Sequence, residues 1–190
     1  MSCYVGNSKT LSCMDVAVSL GLYLAEKNQG KFKDTFLTFS ANPQLLHLKG
    51  NIVEKMQQMV KSEWGMNTNL HAAFDKILST AVNGKVPQEE MPEMLVILSD
   101  MQFDQCILFD DSAMEMIKRK YESAGYKVPT VIFWNLRACD NVPVKYNEQG
   151  VALVSGFSPA IMKSILTAKM DDFTPEAIML ETVMNPRYDL

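Results

Sequence analysis

No two of the four cysteines, Cys3, Cys13, Cys106 and Cys139, stand at C-x-x-C spacing, so neither a zinc cluster nor a disulfide framework is suggested. A reducing compartment fits them best. There are two histidines, His47 and His71, 24 residues apart (71 − 47), which is not the spacing of a zinc pair. No apolar run approaches the roughly 20 residues that span a bilayer, and the N-terminus has no basic region followed by an apolar one. A cytoplasmic protein without membrane contact is expected. Basic excess is also missing: the formal charge is −4 and the isoelectric point about 5.2, which argues against direct nucleic-acid binding through phosphates. The small cluster Lys118, Arg119 and Lys120 falls in a predicted helix and reads as a solvated face.

What remains is a chain of 190 residues, 47% hydrophobic and 21% charged, enough for one domain with its own core. A single domain over 1–190 is expected, with 1–13 an irregular lead-in and 170–190 a C-terminal helix and tail. Helical periodicity covers "MDVAVSLGLYLAEK", "GNIVEKMQQMVKSEW", "NLHAAFDKILSTAV" and "SAMEMIKRKYESAG", the last opened by Asp111 or Ser112 and stopped by Gly125. "DTFLTFS", "MLVILS", "PTVIFWNL", "VPVKY" and "GVALVSGF" read as extended segments, and "SPAIMKSIL" and "TPEAIMLETVM" open helices with a hydroxyl cap and proline at N1. The 14 methionines, Met56, Met59, Met114 and Met179 among them, read as core filling. Burial is also expected of Trp134. Alternation of strands with helices predicts an α/β fold: a three-layer, Rossmann-like, mostly parallel sheet with helices on both faces.

Chemistry in such a fold gathers where the strands end. "MLVILSD" runs an apolar strand into Ser99 and Asp100, and "WGMNTNLH" precedes a helix whose free amides point to the same area. Thr68 and Asp100 together would offer hard oxygen ligands to Mg²⁺ or another divalent cation, with Ser99 and Asp104 as further donors. Each has a plainer reading. Thr68 shares helix capping with Asn67 and Asn69, Asp100 can be a strand-end turn residue, and Asp110 and Asp111 stabilise a helix start. Asp100 with Asp104 also suits a small metal-dependent hydrolase, which needs two carboxylates around one cation.

Taken together, "LTFSANPQL", "WGMNTNL", "ILSDMQFDQ", "AGYKVPTVIFWNLR" and "GVALVSGFSP" resemble an uncharacterised family whose C-terminal region looks like a von Willebrand factor A domain. The resemblance runs from about Met14 to Leu166. It implies a metal-ion-dependent adhesion site at the C-terminal strand edge, with Thr68 and Asp100 in its second and third positions. It implies binding rather than turnover, with a protein partner whose carboxylate completes the metal's coordination. Asn67, Asn69, Gln102, Asn135 and Arg137 are then the candidate partner contacts. Ro-type RNA-associated proteins are similar in carrying such a domain, which gives an accessory RNA-associated role as another alternative.

One departure weakens the site. The family pattern places a strand and an Asp-x-Ser-Gly-Ser-Met motif before "MDVAVSLG", whereas this chain begins "MSCYVGNSKTLSC". Met1 falls where that motif would end, and Ser8, Ser12 and Asp15 do not reproduce its spacing. The expectation is a truncated member with a degenerate or incomplete metal site, lacking the usual first strand. "TFLTFS" and "MLVILS" are then expected to pair directly, or exposed edges to drive homo-oligomerisation.

Overall fold

The computed structural model describes residues 4, 8–38, 40, 42–64, 69–99, 111–136, 144–147, 151–155, 162, 179–180 and 183–184, with 111–114, 144–147, 151, 153 and 155 described by backbone alone. These residues form a mixed α/β structure in two compact units that interleave along the sequence. The first takes Met14–Glu93 and Gln102–Pro129; the second takes Met1–Cys13, Met94–Met101 and Thr130–Leu190.

In the helical unit, α1 (Cys13–Lys27) lays Val18, Leu22 and Ala25 on one face at helical spacing. Leu48 and Met59 complete that buried cluster, with Met14 and Phe36 packed against it. The chain then makes a short hairpin, β1 (Thr35–Leu37) with β2 (Leu45–His47), antiparallel in the register Phe36 to Leu46. Thr38 closes it. Its amide donates to the Gln44 carbonyl at 3.0 Å and its hydroxyl oxygen accepts from the Gln44 amide at 2.9 Å.

This corrects the expected pairing of "TFLTFS" with "MLVILS". A partner a few residues away costs little loop entropy, so the local hairpin forms instead. The strand is also shorter than the seven residues of "DTFLTFS".

Helix α2 (Ile52–Val60) begins at a capping box: the Asn51 side chain accepts from the Val53 and Glu54 amides, and Glu54 accepts from the Asn51 amide at 2.8 Å. Gly50 precedes it at φ +93°, where a Cβ would collide with the Glu54 carboxylate. The box therefore requires glycine there. Met59 is buried, as expected, but Ile52, Val53, Met56 and Val60 are exposed. Core filling thus fails for Met56, because the apolar stripe of α2 is wider than what packs against it, and Met179 is exposed too.

Helix α3 (Leu70–Gly84) buries Ala73, Phe74, Ile77 and Ala81, and α4 (Asp111–Ser123) meets it through Tyr121. The Phe74 and Tyr121 rings sit edge to face at 5.9 Å, and the Tyr121 hydroxyl donates to the Phe74 carbonyl at 3.0 Å. Farther along, the Tyr126 hydroxyl donates to the Val86 carbonyl at 2.7 Å. Gly125 ends this stretch at φ +79°, as the sequence predicts.

The second unit holds a four-stranded sheet in the order β3 (Met94–Ser99), β4 (Thr130–Asn135), β6 (Val151–Ser155), β5 (Val144–Asn147). β3, β4 and β6 run parallel, and β5 turns back antiparallel beside β6. Where a mostly parallel sheet is expected, three of these four strands are parallel and the β1–β2 pair is a separate antiparallel sheet. β4 is its core: Val131, Ile132, Phe133, Trp134 and Asn135 are all buried, so both of its faces are covered. β3 buries Ile97 alone, and among the described residues no strand pairs with its other edge.

Candidate functional site

Parallel strands in register deliver their C-terminal residues to one edge. Here Ser99 lies opposite Asn135, and Asn135 opposite Ser155. The Leu136 amide donates to the Ser99 carbonyl at 2.8 Å, which carries the β3 to β4 ladder one residue past the strand end. Asn135 is 5% exposed, a polar residue at the end of an otherwise apolar buried strand, and Ser99 is half-buried. Neither residue is without a partner. A buried amide closing an apolar strand needs its hydrogen bonds satisfied, so its geometry is fixed rather than free.

Asp100 follows Ser99 directly in the sequence, and Arg137 follows Leu136. Asp100, Gln102, Asp104, Arg137, Asn67 and Thr68 lie outside the described residues, so the predicted meeting of Thr68 with Asp100 does too. Asn69 is described and exposed: it is the N-cap of α3, its side chain accepting from the Ala72 amide at 3.0 Å. Capping, which Asn69 was read as sharing with Thr68, is what it does here. Ser8 also has a local role, its hydroxyl oxygen accepting from the Thr10 and Leu11 amides at 3.2 and 2.9 Å.

Among the described residues, no group of three or more His, Cys, Asp or Glu side chains could hold a metal ion. The described part of the sheet edge brings hydroxyl and amide oxygens. A hard divalent cation wants carboxylate oxygen as well. The described residues alone therefore do not fit a metal; Asp100 and Asp104, the acids the sequence names here, lie outside them.

A second polar cluster escaped the sequence reading. Lys120 of α4 places its Nζ 2.9 Å from both Asp75 oxygens and 3.1 Å from His71 Nε2, while His71 Nδ1 lies 3.2 Å from Asp75 Oδ2. His71 and Asp75 stand four apart on α3, a visible signal of shared helix face. Lys120 lies 45 residues from Asp75, and nothing in the local pattern joins them. Of the presumed solvated trio, Lys118 and Arg119 are exposed and Lys120 is tied down.

Fold and site together define a mixed α/β protein with polar residues gathered at the C-terminal edge of a short parallel sheet. A family model described as a domain of unknown function, DUF7788, matches residues 1–186, and the chain belongs to that family. It is also 37% identical over 181 residues to "Uncharacterized protein L728" of Acanthamoeba polyphaga mimivirus. That match covers 91% of this chain and 31% of the relative, so the chain spans about a third of the relative's length. No described helix is long and apolar enough to cross a membrane.

Proposed function

We propose that the chain is a non-enzymatic, von Willebrand factor A-like protein-interaction domain that binds at the C-terminal edge of its parallel strands. The observation that carries this reading is the common register of Ser99, Asn135 and Ser155, with Asp100 the next residue in sequence. In open α/β sheets ligands bind in the crevice beyond the strand ends. A three-layer arrangement belongs to the same proposal.

Thr68 and Asp100 would hold a weakly bound Mg²⁺ or Mn²⁺, with Ser99 and Asp104 as supplementary donors. The cation would supply an open coordination place for a partner's carboxylate. Asp100 and Asp104 bring two carboxylates between them, and two anionic ligands predict a low affinity. The partner is a protein presenting an acidic side chain. Strand edges that are unpaired among the described residues also leave room for a homo-oligomer.

Calorimetric titration with Mg²⁺ and Mn²⁺ tests the reading. Weak heat in the wild type that disappears in Asp100→Ala is the expected result; no heat in either protein removes metal from it. Turnover of a generic phosphoester that vanishes in Asp100→Ala would replace it with the hydrolase reading.

A further inference from the structure

Helix α2 carries more apolar surface than its own chain covers. Its inner side holds Met59, buried in the cluster with Val18 and Leu48, and Lys55, which reaches Asp34 and Glu26. Next to that side, Ile52, Met56 and Val60 stand at steps of four residues with Val53 beside them, all between 43% and 62% exposed. Residues four apart share a helix face, so these side chains make one continuous apolar stripe. A single exposed apolar residue is ordinary, whereas a contiguous stripe marks a contact surface.

The order of residues along the stripe says what fits it. Counted from Met56, Ile52 lies four residues before and Val60 four after; Lys49 lies seven before (56 − 49) and Glu63 seven after (63 − 56). Lys49 and Glu63 are exposed, and among the described residues neither belongs to an ion pair. An apolar stripe that is symmetrical about its centre and carries opposite charges at its two ends is complementary to itself turned end for end.

We propose that this face docks a second copy of the chain, α2 against α2, antiparallel about a two-fold axis at Met56. Such a contact is isologous, so each pairing occurs twice. Ile52 meets the partner's Val60, Met56 meets the partner's Met56, and the Lys49 end comes to the partner's Glu63. A parallel arrangement would bring Lys49 to the partner's Lys49 and Glu63 to the partner's Glu63, with like charges together. The antiparallel one also sets each positive helix N-terminus beside a negative C-terminus.

Size sets the strength. Four apolar side chains are few beside the roughly 20–30 residues a side of a standard interface, so the dimer is weak and exchanges with monomer. Met56 suits the axis, because an unbranched thioether chain adapts to its own copy. The contact uses neither the strand edges nor a metal and is independent of the proposed binding edge.

Sedimentation equilibrium of the whole chain without added metal, from about 10 µM to about 1 mM, tests it. The mean mass of the wild type should rise with concentration from one chain toward two. Met56→Lys sets two ammoniums together on the axis and should stay at one. Lys49→Glu and Glu63→Lys change exposed side chains only; each should weaken the dimer about tenfold, since both symmetric ends are affected, and the double variant should restore it. A wild type that remains monomeric at the highest concentration overturns the proposal, a result that needs no variant to fold. So does a dimer that Met56→Lys leaves intact, which would place association on another face, or a double variant no tighter than either single one.

Discussion

Asp34 shows how one side chain can carry a turn, a charge and a pH dependence. It sits at φ +54°, a conformation that aspartate and asparagine tolerate better than other non-glycine residues. Its carboxylate accepts from Lys55 Nζ at 2.7 Å, and Lys55 also reaches Glu26 at 2.9 Å. The Lys55 hydrogen bond holds the Asp34 carboxyl below its ordinary value despite some desolvation, and raises Lys55 in return. A carboxylate lowered in the folded state stabilises above its unfolded value, and that contribution is lost as pH falls through the lower folded value. Asp34→Asn keeps the backbone preference and removes the charge. Its urea midpoint should therefore fall below the wild type's near pH 7 and converge on it in acid below the lowered Asp34 value. An equal gap at both would place the effect in the backbone. Tyr121 makes the neutral counterpart: burial, with help from Asp75, pushes its phenol well up, so it remains a donor. Tyr121→Phe removes the bond to the Phe74 carbonyl and should cost about 1 kcal/mol in urea unfolding.

At the scale of elements, α2 separates what is buried from what is merely apolar. Met59 is 2% exposed and Met56 43%, although both were legible as apolar positions on one helix. Met59→Ala should lose about 2–5 kcal/mol, and Met56→Ser should stay within about 0.5 kcal/mol, both read by denaturant unfolding. Gly50→Ala tests the capping box: the left-handed backbone alone should cost about 1–2 kcal/mol, lowering the thermal midpoint. Helices α1 to α4 were readable because apolar positions recur at helical spacing and Asn69 and Gly125 mark two of their ends, whereas the Asn51 cap was found only in the structure. β3, β4, β5 and β6 were readable from their β-branched and aromatic runs. The β1–β2 hairpin was not, since "LLH" is three residues with no distinctive pattern, and strand pairing depends on loop closure rather than on composition. The same limit hid Lys120 from Asp75: charge pairs between helices leave no periodic trace in the chain.

For the whole molecule, the two units interleave, so the parallel pairing of β3 with β4 must wait for the intervening stretch that carries α4. Parallel strands always require such a crossover. Their reward is a shared C-terminal edge, and that edge is the part of the candidate site that the sequence made legible: Ser99 and Asn135 were both named from strand ends, and the register sets them side by side. Thr68 and Asp100 were named from the same logic together with the family resemblance, and lie outside the described residues.

The central claim is that this edge is where the chain binds. Mn²⁺ is paramagnetic and broadens the amide signals of whatever it approaches, so a titration followed by backbone NMR locates its site directly. The account predicts broadening that begins at Thr68, Ser99, Asp100 and Asn135 and is abolished in Asp100→Ala. Broadening centred on any other element, or none at all in the wild type, would contradict it.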